Sequence, residues 1–363
     1  MEGVIGDNES DTSDDDDDVR ERQHIHKIQN YVEHTIPLYD NETFQSHFRL
    51  QRPEVYRLIE RYQQTNYLVN NDSNETAITH EKAFLLTLYY LANTETFLEI
   101  SDRFDLSMSS AHRVLQNTLD FIISLQDEYL VWPHNREDKR EISQRFSKIQ
   151  NIHGVIGAIN GCHIRIKRPM EQQRDYFSRK QFHSIVIQAV ATSNNIITDV
   201  HIGEPRSMHD SRVLRRSPIY AAAHDNPDFF DGYFLLGDSA YANLPWLVPP
   251  FRDNGHLTDK EREFNYRHSS TRVRIEHTFG LLKCRFRRLN KFNNLLLDII
   301  IRCTMASCIL HNILTIARIN NINIDDDSDD DNNNDNDDYN DNERVFVEDR
   351  RQYIFQNMFV DRE

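Results

Sequence analysis

At 363 residues with a formal charge of −16, the chain is long enough for a sizeable core and two domains. No stretch approaches the roughly 18 apolar residues of a membrane helix, and the acidic start excludes a secretory signal. Four cysteines (Cys162, Cys284, Cys303 and Cys308) show no disulfide framework and suit a reducing compartment, so a soluble intracellular protein is expected.

Residues 1–18 carry nine acids and no Lys or Arg, and residues 325–343 carry eleven more, again unopposed. Without those twenty, 38 acids face 42 bases, a body of about +4. Runs of like charge repel and stay solvated, so residues 1–20 and most of 319–363 are expected to be disordered acidic tails. The other role for such runs is to mimic phosphates and restrain a basic surface in cis.

Between the tails the chain divides in two. Residues 21–130 alternate polar and apolar positions at helical spacing, with Phe44, Phe48, Leu50, Val55, Leu58 and Ile59 as the buried set and Pro53 in the first turn of a helix reaching Tyr62. Three helices follow: His80 to Leu91, Glu95 to Phe104 capped by Thr94, and Met108 to Leu125 capped by Ser107. Two helices joined by a short turn, the second bearing polar side chains early, follow helix-turn-helix grammar over about 80–125. Ser109, Ser110, His112, Arg113, Gln116 and Asn117 would then reach base edges or phosphates. An ordinary three-helix bundle fits the same spacing.

Trp132-Pro133 closes the helical part, and a linker helix spans Arg136 to Ile149. From 152 the period changes. Ile152 to Ile159, Ser184 to Thr192, Ile196 to Ile202 and Tyr233 to Leu236 read as strands, with helices at Met208 to Arg216, 259–285 and 294–318. The whole reads as an α/β (α+β) chain whose 150–318 segment is a mixed sheet flanked by helices.

The strand endings carry the chemistry. Strand 152–159 delivers position 160, strand 233–237 delivers Asp238, and a helix through Arg272 to Phe286 delivers Glu276. Carboxylates in such places hold two divalent cations about 4 Å apart and drive in-line attack on a phosphodiester. Mg²⁺ suits oxygen ligands of this kind. Around that helix, residues 260–291 carry ten bases against three acids, the footprint of a phosphate-binding surface; Lys283, Arg285, Arg287 and Arg288 are its expected DNA contacts. A solvated basic helix is the plainer alternative. Asp210 is either an outer metal-site acid or a charge favouring its helix N-terminus. His163 either touches substrate phosphate or bonds backbone. His277 points away from Glu276 around the helix. Cys308 and His311 lack a second ligand pair for zinc, and Cys303 and Cys308 read as core.

Several stretches then combine in order: Trp132-Pro133, Gly157 to Ile164, Phe182-His183-Ser184 through Gln188-Ala189-Val190, His209-Asp210-Ser211-Arg212-Val213-Leu214, Gly237-Asp238-Ser239-Ala240-Tyr241, Phe264-Asn265 onward to Arg285-Phe286-Arg287, and Leu310-His311-Asn312. Together, over about residues 40–318, they resemble Harbinger-type transposases and the nucleases derived from them, in the DDE superfamily. The resemblance implies a ribonuclease-H-like catalytic domain, a DNA-binding helix-turn-helix, a Mg²⁺ or Mn²⁺ cofactor, double-stranded DNA as substrate and work in the nucleus beside a Myb-like DNA-binding protein. Whether the chain forms a homo-oligomer stays open.

One departure matters. Where the family carries its first catalytic Asp, this chain carries Asn160. An amide offers a metal one neutral oxygen and no charge. The expected triad is therefore Asn160, Asp238 and Glu276, with nuclease activity strongly reduced; the alternative is a DNA- or chromatin-binding protein that keeps the fold without the chemistry.

Overall fold

Side-chain caps set where the N-terminal helices begin. In a computed structural model that describes residues 27–68, 77–167, 182–293, 296–326 and 349–359, the helices are α1 (Asn41–Phe48), α2 (Arg52–Gln63), α3 (His80–Ala92), α4 (Phe97–Arg103) and α5 (Met108–Ser124). Asp40, Thr79 and Ser107 each accept a backbone N–H three residues on. Thr96 and Glu99 form a reciprocal capping box, so α4 starts at Phe97 and its cap is Thr96, not the expected Thr94. The turn from α4 to α5 takes a left-handed residue at Asp105 (φ 50°), which lets the chain reverse in four residues. Apolar side chains cover all sides of α3, and Ala83 to Ala92 are buried without a break, making it the centre of this part.

After a one-turn helix α6 (Gln126–Tyr129), α7 (Arg136–Gln150) leads into a five-stranded sheet. Its strands are β1 (Val155–Ile166), β2 (His183–Ala191), β3 (Ile197–Pro205), β4 (Phe234–Leu236) and β5 (Leu247–Val248), in the order β3-β2-β1-β4-β5. The first three form an antiparallel meander, while β4 and β5 run parallel to β1. Between β3 and β4 lie α8 (Asp210–Arg216) and α9 (Pro218–Asp225). Beyond β5 come α10 (Asp259–Arg285), α11 (Leu297–Asp326) and α12 (Arg350–Met358). The two-residue β5 and short α9 have too few residues to show a period, and neither was expected.

Three expectations are corrected. The helical part is not independent, because one hydrophobic core runs from Phe44, Leu58, Phe84 and Ile122 through Ala158 and Ile187 to Phe286, Cys303 and Leu310. Helix α11, over Leu297–Asn321, does reach membrane-spanning length and apolarity, against the expectation that no stretch would, and most of it is buried inside the protein. The C-terminal segment is partly structured: Arg351 of α12 donates to the Pro250 carbonyl and lies over Phe251, and Phe355 packs edge-on against Phe251 and Phe264. The acidic start and residues 327–348 lie outside the described residues, as does the loop at 69–76.

Candidate active site

β1 extends seven residues beyond its expected end at Ile159, so Asn160 lies inside the strand. In the parallel pair, Ala158 stands opposite Leu236. Two residues beyond that pair come Asn160, still within β1, and Asp238, past the end of β4; Asn160 shares the face of β1 that Ala158 presents. That face is covered by α10, whose Ile275 and Phe279 belong to the shared core. Its Thr278 hydroxyl reaches Asn195 in the β2–β3 turn (3.3 Å). The parallel pairing thus ends two residues before both positions, and the helix that carries Glu276 packs on β1.

The hydrogen bonds show what each donor has left. The Asn160 side-chain oxygen accepts the Gly161 N–H (2.8 Å), and Asp238 Oδ1 accepts the Ala240 N–H (2.9 Å). Glu276 is 48 % exposed and pairs with Arg272, itself 16 % exposed, at 2.8 Å one helical turn back. Asp210 opens α8, as expected for an acid favoured by a helix N-terminus, and it also lies against β1. A Cβ on Gly161 would stand 2.6 Å from Asp210 Oδ1, so the carboxylate occupies the space that this glycine leaves. Burial, then the charge of Asp238, push the Asp210 carboxyl above its usual range, with His209 and Arg206 opposing. Beneath it, Gln188 donates to the Tyr241 hydroxyl (3.0 Å). Burial, then Asp210 and Asp238, hold that hydroxyl well above its ordinary value.

Among the expected DNA contacts, Lys283 is tied to the His163 carbonyl (2.7 Å), beside the site, and Arg287 is exposed. Two are corrected. Arg288 is 4 % exposed, donates to the Tyr90 and Glu95 carbonyls and lies 4.1 Å over the Tyr90 ring. Arg285 donates to His311 Nδ1 (2.9 Å) and the Thr315 hydroxyl (3.0 Å). Both arginines brace the interior instead of facing solvent. Arg113 and Gln116 on α5 are half-buried, and the Gln116 carbonyl accepts from Arg302 of α11 (2.9 Å). The Leu310-His311-Asn312 motif is structural as well: Asn312 bonds Ile197 through both its amide groups and reaches the Tyr129 carbonyl, joining β3 to the helical part. Cys303 and Cys308 are fully buried core residues, as expected.

Sequence reasoning found His163 and Lys283 but missed the rest of the surface beside Asn160. A cavity of about 560 Å³ is lined by Gly161, His163, Arg165, Phe182, Arg206 and Lys283. The alternation of Gly161, His163 and Arg165 along β1 was a legible signal, and Phe182 opens one of the motifs; Arg206 carried none, since a loop has no period. Arg272, four residues before Glu276, was also legible from helical spacing.

The donors here are oxygens, as Mg²⁺ or Mn²⁺ requires, but position 160 supplies an amide whose oxygen is already engaged, and Glu276 is held by an arginine. Among the described residues, no three or more His, Cys, Asp or Glu side chains gather into a metal-holding group. The arrangement therefore falls short of a two-metal bridge, and no chemical step through a metal follows from it.

The mixed five-stranded sheet flanked by helices is consistent with a DDE nuclease domain. Residues 159–312 match the DDE superfamily endonuclease family. It is 26% identical over 278 residues to "Putative nuclease HARBI1" of Rattus norvegicus, covering 75% of this chain and 77% of the relative. With the Homo sapiens protein of the same name it shares 26% over 242 residues (65% and 68%), and with "Protein ALP1-like" of Arabidopsis thaliana 27% over 301 residues (76% and 71%). The resemblance to Harbinger transposase-derived nucleases, read from the motifs, is borne out. No solved structure matches the chain.

Proposed function

We propose that this protein is a transposase-derived DNA endonuclease of ribonuclease-H-like design whose divalent-metal site is impaired at its first ligand. The observation that supports the reading is that β1, which carries Asn160, pairs in parallel with β4, whose last pair (Ala158 with Leu236) lies two residues before both Asn160 and Asp238, where the family's first two carboxylates are expected. A neutral amide there removes one unit of charge from a site that must neutralise a phosphodiester under attack. Loss of one such electrostatic contact costs roughly 10²–10³ in rate. Asp238 and Glu276 remain the acids of the site, and Asp210, whose carboxyl feels the charge of Asp238, is the candidate substitute for the missing one. The same reading has the protein act on duplex DNA in the nucleus, with the α4–α5 pair contributing sequence preference and a Myb-like protein as its DNA-binding partner.

The test compares the natural chain with Asn160→Asp at matched DNA occupancy, scoring plasmid nicking in Mg²⁺ and in Mn²⁺ together with Mn²⁺ binding by electron paramagnetic resonance. The revertant is expected to bind Mn²⁺ more tightly and to nick roughly 10²–10³ times faster. Asp238→Asn or Glu276→Gln in the revertant should abolish both gains. Equal activity in the natural chain and the revertant would show that another acid, Asp210 first, supplies the missing ligand. Silence in both, with DNA binding intact, would favour a DNA-binding protein that keeps the transposase fold without its chemistry.

A further inference from the structure

β4 stops pairing with β1 at Leu236, opposite Ala158, while β1 runs on to Ile166. Over that stretch β1 has β2 on one side and, among the described residues, an isolated bridge from Arg165 to Lys291 as its backbone pairing on the other. The missing strand leaves a notch that starts at Asn160 and is bounded by the last turn of α10, the loop after β3 and Phe182. The 560 Å³ cavity lies here, and Gly161, the residue directly after Asn160, lines it.

The lining has one sign of charge. Among the described residues, Arg165, Arg206 and Lys283 line it, and no carboxylate does. None of the three enters a salt bridge among the described residues. This contrasts with Arg272, Arg267 and Arg302, each of which has an acid within reach. Lys283 is fixed by the His163 carbonyl and Arg165 by stacking at 4.4 Å over the Phe182 ring. Lys283 and Arg165 are therefore positioned without a carboxylate partner, while Arg206 lies within electrostatic reach of Asp210. Holding three like charges around one open space costs energy unless an anion enters it. A half-exposed aromatic ring at the rim adds a face on which a base can stack.

We propose that this cavity holds the sugar–phosphate backbone of the DNA strand that enters the active site, with Arg165, Arg206 and Lys283 on its phosphates and Phe182 against a base. The assignment rests on the DNA-acting reading above and adds the side of the sheet along which the strand runs. Because the cavity adjoins Asn160 without sharing its ligand chemistry, strand binding here is independent of whether the metal site works.

The test uses the full chain in EDTA, which removes metal from the outcome. Fluorescence anisotropy of labelled single-stranded and duplex oligonucleotides is followed across a salt series for the natural chain, Arg165→Gln/Arg206→Gln and Phe182→Ala. Each lost phosphate contact lowers the log–log salt slope by about 0.7–0.9. The double variant should therefore lose about 1.4–1.8 of slope and bind roughly 10-fold or more weakly. Phe182→Ala should weaken single-strand binding by roughly 5-fold or more, with little change in slope. Should the double variant fail to fold, the exposed Arg165→Gln alone carries the test at half the slope change. Unchanged slope and affinity in the arginine variants, with DNA bound normally, overturns the cavity assignment and leaves the DNA reading standing. A natural chain that binds neither oligonucleotide overturns both.

Discussion

Arg287 and Arg288 are neighbours in the chain and opposites in the molecule. Arg287 is exposed, while Arg288 is buried between two carbonyls and a tyrosine ring of the helical part. Arg285, one helical turn before Arg288, is likewise turned inward onto His311 and Thr315. Against this inward group stand Arg165 and Arg206, far apart in sequence and brought to one open cavity. A local count of positive charge treats all of these alike. What separates them is the supply of acceptors: an arginine that meets backbone carbonyls in the interior becomes a brace, and one that meets none remains available to phosphate.

The largest effect that would sharpen the contrast is Arg288→Ala. It leaves the Tyr90 and Glu95 carbonyls without a charged donor and opens space over the Tyr90 ring. Destabilisation of about 2–5 kcal/mol is expected in urea unfolding, with DNA affinity of the folded fraction unchanged. A variant as stable as the natural chain would show that Arg288 is no brace. Mutating Arg285, Arg287 and Arg288 together would confuse loss of folding with loss of DNA contact.

The brace should also respond to acid. His311 accepts from Arg285 at Nδ1 and offers Nε2–H to the Asn195 carbonyl (2.9 Å), an arrangement that requires the neutral ring. Burial, then the Arg285 charge, lower its pKa to about 3, and burial lowers that of His268 to about 4. Both histidines stay neutral in the folded state and take up a proton below about 6.5 when unfolded. Their contribution is therefore complete above pH 6.5 and is lost as pH falls through the window from 6.5 toward 4 and 3. Between pH 6.5 and 5 each should contribute a loss on the order of 2 kcal/mol, read from denaturant midpoints. Midpoints that do not move between pH 7 and 5 would contradict neutral, buried rings.

The smallest effect belongs to Arg287→Ala. Stability should stay within about 0.5 kcal/mol. Any loss of DNA affinity should be the few-fold change of one phosphate contact, with the salt slope lower by about 0.9. A large stability loss at Arg287 would erase the distinction between the two arginines.

The sequence by itself determined the helical and strand periods, the order of the motifs and the candidacy of Asn160, Asp238 and Glu276, because spacing and residue type are local properties. It placed α10 at 259–285 with both ends as observed. Only the tertiary structure decided the rest. It sets Asn160 inside a strand, since β2 pairs with β1 as far as Ile166, and it lets Asp210 fill the space left by Gly161. It also joins the two halves of the chain through one core and turns Arg285 and Arg288 inward while leaving Arg165 and Arg206 open. Each of these depends on which acceptor, ring or missing side chain a distant segment brings alongside, and no local pattern contains that partner.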